Sequence, residues 1–407
     1  MIVKRIFNSI MNRYKWFKNK QGYNWILYML LPVINNKIVI TSYSGRGYSD
    51  NPKYITEELL KRDESLNVIC LVKSINEMNL LPSNIKGCLI GSKKAVYHAS
   101  TAAVWIDNSR KDYFKKKKKQ LYIQTWHGNC TGKKIEKDAE NKLSKSYVKI
   151  AIKDSKAIDL IISEGTFMTK IFKKSFWYNG LVAEVGSPRN DIFLDNGLCE
   201  TTRKKVKQIL NISDNKEIIL YAPTFRDNGE LLYYNVDFER LLRTCRLKFK
   251  TDFVVIVRLH PNIADKSHLM TYSDSVIDGS HYQDAQELLA ASTVVISDYS
   301  SIMFDFTIKN GIAIRYAPDI KEYLEERGWY FELADYPYPI ATNNDELNAI
   351  IQNFDNKLYL QDVNNFHDKC GLIKKTSSGI CADIIMYYLK SGLSKKKTFD
   401  HYKYILK

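Results

Sequence analysis

Paired cysteines, metal-ligand spacings, long apolar runs and tandem repeats are all missing from this sequence. Its seven cysteines are scattered and odd in number, with no C-x-x-C pair. That excludes a disulfide framework and describes reduced thiols. The spacing of a zinc site is also absent, so neither a metal nor a cofactor is expected. The best apolar run near the N-terminus, Trp25 to Ile34, is broken by Pro32. It falls far short of the roughly 20 residues a spanning helix needs. No small-residue cleavage site follows it, so the stretch reads as neither a secretory signal nor a membrane span. Low complexity is confined to the lysine run 115–119.

What is present describes a folded chain. Hydrophobic residues make up 45% and aromatics 12%, a composition that argues against disorder. With 407 residues the chain exceeds one ordinary core, and two domains of roughly 150–200 residues are expected. Sixty-one Lys and Arg against 45 Asp and Glu leave a net charge of +16. Such a balance attracts nucleic acid, anionic lipid or phosphorylated substrates. In the first segment Lys4, Arg5, Arg13, Lys15, Lys18 and Lys20 interleave with Ile6, Phe7, Ile10, Tyr14, Trp16 and Phe17. A basic, aromatic, amphipathic segment of this kind can lie in the headgroup region of an anionic leaflet. The alternative is a helix packed on the body with its lysines in water.

Short β-branched runs recur along the chain and predict strands. They cover Lys37 to Ser42, Asn67 to Val72, Ala102 to Ile106, Asp159 to Ser163 and Val182 to Gly186. A second set covers Glu217 to Ala222, Phe253 to Arg258, Thr293 to Ser297 and Ile312 to Tyr316. Helical stretches such as Tyr54 to Lys61 alternate with them, the pattern of parallel βαβ units. Five apolar runs end in polar clusters: His127-Gly128, Ser187-Pro188-Arg189-Asn190-Asp191, Thr224-Phe225-Arg226-Asp227, Arg258-Leu259-His260-Pro261 and Asp298-Tyr299-Ser300-Ser301. Ligands of open α/β sheets bind beyond the carboxyl ends of the strands, so five clusters at five strand ends predict one shared site.

Each cluster offers a specific chemistry. An imidazole at a strand end, His127, can accept a proton from an attacking hydroxyl, and Gly128 allows close backbone approach. The bland alternative is a histidine bonded to a neighbouring backbone group. Arg258 has the forked geometry for a phosphate, and His260 can hydrogen-bond a pyrophosphate oxygen; an interface salt bridge is the rival reading for the arginine. Ser300 and Ser301 precede a helix start, where free N–H groups are either capped or bind phosphate. Asp305 lies too far along for a cap and is read as a partner for a ribose or substrate hydroxyl. Arg189 in its tight turn and Thr224 after its strand complete the set. A Cys130–His127 nucleophile is disfavoured by the phosphate-type groups around it, and Asp298 with Asp305 lacks the further carboxylate a metal would need.

In this order the segments QTWHG, GSPRND, YAPTFRD, RLHP and SDYSSIMFDF resemble the CDP-glycerol glycerophosphotransferase family of teichoic acid enzymes, from about Ile38 to Leu389. The resemblance implies an α/β fold of GT-B type, two Rossmann-like domains facing a central cleft. It implies transfer of a polyol phosphate from a CDP-linked donor to a hydroxyl of a lipid-linked saccharide or polyol-phosphate acceptor, with release of CMP, by a peripheral protein at the cytoplasmic face of an anionic membrane. By the same resemblance His127 and His260 are the catalytic residues. Substrate would touch Gly128, Asn129, Cys130, Thr131, Arg189, Pro223, Thr224, Arg258, Leu259, Ser300, Ser301 and Asp305. The family usually reads HGTPLK after the tryptophan, whereas this chain reads His127-Gly128-Asn129-Cys130-Thr131-Gly132-Lys133; the missing proline puts contacts from 129 to 131 in question. The family's PGP-like turn stands here as Tyr336-Pro337-Tyr338-Pro339.

The expected division is a basic amphipathic segment 1–36, an acceptor-side domain 37–200, a CDP-donor domain 201–390 and a basic tail 391–407. A GT-B glycosyltransferase with a nucleotide-sugar donor is the nearest alternative. A nucleic-acid-binding protein is the rival from another class, and it lacks any recognisable reading motif.

Overall fold

The computed structural model describes residues 28, 30–112, 115–128, 132, 134–226, 234–260, 263–320, 322 and 328–407. The expected contacts Asn129, Cys130 and Thr131, and nearly all of the basic N-terminal segment, lie outside the described residues.

Two parallel sheets organise the chain. The first contains β1 (Ile34–Thr41), β2 (Asn67–Val72), β3 (Lys86–Leu89), β4 (Ala102–Asp107), β5 (Leu121–Gln124), β6 (Leu160–Ser163) and β7 (Leu181–Glu184). The second contains β8 (Lys216–Tyr221), β9 (Asp252–Val257), β10 (Val276–Asp278), β11 (Val294–Ser297), β12 (Ile312–Tyr316) and β13 (Ile340–Ala341). Their spatial orders are β3-β2-β1-β4-β5-β6-β7 and β10-β9-β8-β11-β12-β13. Both are the doubly wound order in which the sequence runs outward from a central pair and then reverses. The loops after β1 and β4, and those after β8 and β11, therefore diverge and open a crevice. This is the GT-B-like α/β architecture expected from the strand pattern.

Why these runs become central strands is visible in their burial. All six residues of β4 are buried, as are the last five of β2 and of β9. A parallel strand covered on both faces needs apolar side chains pointing both ways, so its sequence is nearly continuous in Val, Ile and Leu. Alternate residues enter different cores. Val39 joins a cluster that runs through Trp105, Tyr122, Leu220, Val295 and Phe304 and thereby spans both sheets. Its neighbours Ile38 and Ile40 face the opposite layer. In the second sheet Leu220 joins the shared cluster while Ile219 and Tyr221 face outward onto Leu241 and Leu347.

One long-range crossing was not legible. The pattern assigned residues up to 390 to the second domain. Helix Ser378–Lys390 instead buries Cys381, Ile384, Ile385 and Tyr388 against Ile38, Ile40 and Ile55 of the first sheet. Leu406 then bridges to Ala183 beside β7. An amphipathic helix carries no label for the sheet it covers, so only the packing assigns it.

A candidate active site between the two sheets

The loop after β1 shapes one wall. Tyr43 and Ser44 take left-handed backbone conformations, with φ of 46° and 56°, followed by Gly45 at 94°. A Cβ on Gly45 would stand 2.4 Å from Ile90 Cδ1, so both conformation and space require glycine there. Asp50 and Trp126 are also left-handed, at 59° and 53°. Such strain costs about 1–2 kcal/mol per non-glycine residue and persists where surrounding bonds over-determine it.

Those bonds converge on His127. Its Nδ1 lies 2.5 Å from the carbonyl oxygen of Asn108. A carbonyl only accepts, so Nδ1 carries the proton and Nε2 presents its lone pair. The backbone bond of the blander reading thus leaves Nε2 with a lone pair free of that bond. Asn108 Oδ1 in turn accepts from the Tyr43 N–H at 2.7 Å. The imidazole stacks on Trp126 with centroids 4.4 Å apart and meets the Tyr43 ring edge-on at 5.4 Å. Burial lowers its pKa below the ordinary value; the Asn108 bond and Asp50 act the other way and Arg189 with burial. A Cβ at Gly128 would press on Trp126 Nε1 at 3.3 Å.

Arg189 and Asp305 are not at the substrate in the way expected. Arg189 Nε and Nη2 reach Asp305 Oδ2 and Oδ1 at 3.0 and 3.3 Å, and Nη1 reaches Asp50 Oδ2 at 3.3 Å. Asn190 Nδ2 also donates to Asp305, at 2.9 Å. All are buried. The guanidinium charge is spent on two carboxylates, and the carboxylate expected to meet a hydroxyl is filled by donors from the other sheet. Beside this clamp Lys53 Nζ pairs with Asp284 at 2.6 Å and Glu287 at 2.7 Å.

The second sheet supplies the opposing wall. Leu259 is fully buried in the outer core, so its side chain packs away from the site. Arg258 differs. Its Nη2 donates weakly to the Tyr282 carbonyl at 3.4 Å, and its Nε is buried without a hydrogen-bond partner. Among the described residues no carboxylate stands within ion-pair distance of it. Burial lowers the pKa of this guanidinium, with Tyr43 and Asp284 acting in the opposite direction. His260 is half-buried, its ring 6.1 Å from that of Phe225. Tyr43 joins the walls electrostatically: burial and then Asp50 raise its pKa, while Arg189 and Arg258 lower it.

Thr224 is held at both ends. Its N–H donates to Asp298 at 2.9 Å, and its hydroxyl oxygen accepts from Arg226 at 2.7 Å. Arg226 is itself clamped by Asp319 at 2.6 Å and Asp298 at 2.9 Å. Pro223 is buried. Ser301 precedes helix Ile302–Thr307 without a side-chain capping bond, and Ser300 Oγ accepts from the Ile302 N–H at 3.4 Å. Neither serine is a strong cap, contrary to the plainer reading of that motif. Among the described residues no group of three His, Cys, Asp or Glu could hold a metal.

The sequence reading missed two features. One is the start of helix Asp50–Arg62, where Asp50, Asn51 and Lys53 are all buried, the first two bonded to Arg189 and Lys53 paired with Asp284 beside it; three polar residues around Pro52 were its only signal. The other is the aromatic segment Trp329-Tyr330-Phe331. It crosses to the loop beyond His127: Lys134 N–H donates to Gly328 O at 2.8 Å, and Tyr330 OH donates to Asp138 at 3.1 Å. In the turn Tyr336–Pro339, Tyr336 and Tyr338 wall the buried Arg315 guanidinium at 4.9 and 5.8 Å.

The model of the family described as CDP-Glycerol:Poly(glycerophosphate) glycerophosphotransferase matches residues 25–375. The chain belongs to this family. It is 30% identical over 366 residues to the teichoic acid poly(glycerol phosphate) polymerase of Staphylococcus epidermidis, which covers 86% of this chain and 50% of that one. The chain therefore spans about half the length of that polymerase. It is 31% identical over 376 residues to the teichoic acid glycerol-phosphate transferase of Staphylococcus aureus, covering 88% of this chain and 95% of that one. Among solved structures it is similar to the wall teichoic acid polymerase TagF, a histidine-to-asparagine variant soaked with CDPG for 15 minutes. The TM-score is 0.81 at 28% identity, over 96% of this chain and 99% of that chain.

Proposed function

We propose that this glycerophosphotransferase-family chain moves glycerol phosphate from CDP-glycerol to an acceptor hydroxyl and releases CMP. The acceptor oxygen forms a bond to the β-phosphorus while the bond from that phosphorus to the CMP oxygen breaks. CMP leaves with the electron pair, and the hydroxyl proton goes to His127 Nε2. Charge spreads over the phosphoryl oxygens in such a transfer, so positioning and fixed positive groups supply most of the acceleration.

One observation carries this reading: a tautomer-locked histidine on the first sheet faces, across Tyr43, an arginine on the second sheet with no carboxylate at contact distance among the described residues. A half-buried guanidinium with an enclosed, unpartnered Nε lacks a counter-charge, and a diphosphate would supply that charge in the fork geometry it favours. His260, Ser300, Ser301 and the Thr224 hydroxyl are assigned to the same donor, and Gly128 to the loop that closes on it. Arg189 and Asp305 are assigned to holding the halves together. In this reading the first sheet serves the acceptor and the second the CDP moiety. The basic segment 1–36 is assigned to an anionic membrane surface bearing a lipid-linked acceptor.

The test is incubation of the full chain with CDP-glycerol and a lipid-linked glycerol phosphate primer, following CMP release and product size. UDP-sugars run in parallel. CMP release with a lengthened product is expected; UDP release without CMP release overturns the assignment. Sedimentation with phosphatidylglycerol vesicles tests the membrane part, which fails if binding is unchanged when the Lys and Arg of 1–36 become Gln.

A further inference from the structure

Asn51 is 2% exposed, and its side chain touches both the His127 loop and the Arg189 turn of the proposed site. Its Nδ2 donates to the Trp126 carbonyl at 3.2 Å. Its Oδ1 accepts from Ser187 Oγ and from the Arg189 N–H, each at 3.0 Å. The orientation of the amide is forced, because a peptide N–H only donates and a carbonyl only accepts. Trp126 is the left-handed residue immediately before His127, and its indole is the surface on which the imidazole stacks. Arg189 carries the ion pair to Asp305 of the second sheet. No other side chain among the described residues bonds both the His127 loop and the Arg189 turn.

We propose that Asn51 is a positioning residue that ties the placement of the His127 imidazole to the Arg189–Asp305 clamp between the sheets. The proposal rests on the reading of His127 as proton acceptor. When the clamp is made, the Arg189 turn holds Asn51 Oδ1, and the opposite end of the same planar amide fixes the strained Trp126 carbonyl. The imidazole then stands where its Nε2 meets the acceptor. Without the amide, the left-handed Trp126 loses a bond that sustains it, and the stacked ring turns with it. Displacement of a reacting group by about 1 Å typically costs about 100-fold in rate. Binding of the donor by groups of the second sheet is left intact.

Two variants of the full chain separate the arms. Asn51→Ala removes every bond. Asn51→Asp keeps an oxygen for Ser187 and Arg189, loses the donor to Trp126 and adds a negative charge, so its resonance is read against the shift in Asn51→Ala. Both are measured for kcat and KM with CDP-glycerol and primer, over a pH series. Histidine labelled with 13C at Cε1 reports the His127 titration by NMR with no substrate present. Besides burial, the groups that act on this imidazole are the Asn108 carbonyl, Asp50, Arg189 and Asp107, with the Tyr43 ring packed on it; Asn51→Ala alters none of them. The expected result is a kcat lower by roughly 10- to 100-fold, a KM for CDP-glycerol within about twofold, and a shifted His127 resonance in both variants. Wild-type kcat and an unmoved resonance in Asn51→Asp overturn the proposal, as does a loss that falls on KM alone. If Asn51→Ala fails to fold, Asn51→Asp decides. If the wild type releases no CMP, the functional reading fails, and the NMR titration still decides whether Asn51 positions His127.

Discussion

Arg189 Nε stands 3.0 Å from Asp305 Oδ2 across the boundary between the two sheets, with both side chains 3% exposed. A pair this deep is an asymmetric contributor. Taking both charges out of water offsets most of their attraction, yet removing one partner leaves the other buried and uncompensated. Asp305→Ala is therefore expected to destabilise the fold by about 3–5 kcal/mol, read by chemical denaturation. Arg189→Met with Asp305→Leu in the same chain should cost less than the single change. Equal losses in both would contradict a paired role.

His127→Gln is expected to lose turnover by ~10²–10⁴ while CDP-glycerol still binds. Calorimetric titration separates the two effects. In the wild type the acid limb of kcat/KM should lie below pH 6.5, because burial lowers the pKa of this imidazole and only the neutral ring accepts a proton. Activity then persists through mild acidification and falls as pH drops through the lowered value. A limb above 6.5 would remove His127 as the base.

Arg258→Ala is expected to weaken CDP-glycerol binding by roughly 10- to 100-fold, the loss of a hydrogen bond to a charged group of about 1.5–3 kcal/mol. Arg258→Lys should recover only part, since an ammonium cannot reproduce the fork. An unchanged Kd in the alanine variant would return the residue to a structural role.

Acid stability has its own reporter. His367 is 1% exposed, and its Nε2 donates to Thr307 Oγ1 at 2.9 Å, since that hydroxyl donates to Phe304 O at 2.8 Å. Burial, with Lys374 adding to it, pushes its pKa down to about 3. The unfolded chain then takes the proton first, so this contribution is complete above pH 6.5 and is lost as pH falls toward 3. At pH 5 the loss is about 2 kcal/mol. His367→Gln, which keeps a donor for Thr307, should flatten the decline of Tm between pH 7 and 5; an unaltered slope would exclude this histidine.

Nine strand expectations correspond to observed strands to within three residues at either end, because each run must be apolar on both faces and that requirement is written locally. The short strands Lys86–Leu89, Val276–Asp278 and Ile340–Ala341 were missed: with four, three and two residues they carry too little pattern. Residue type and strand-end position pointed to His127 and Arg258, the two residues on which the proposed function rests. Neither signal told that Leu259, which shares a motif with Arg258, faces the core, or what the carboxylate of Asp305 on its short helix would meet.

The amino-acid order alone determined the family, the α/β class and the strand ends from which the site is built, since all three are carried by short contiguous segments. The folded chain decided partners. Arg189 and Asp305 are 116 residues apart, and Asn51 lies 75 residues from the Trp126 carbonyl it holds. Whether a buried charge meets a carboxylate or is left for a ligand depends on which loops the two sheets bring together. That is a property of packing, and no local segment encodes it.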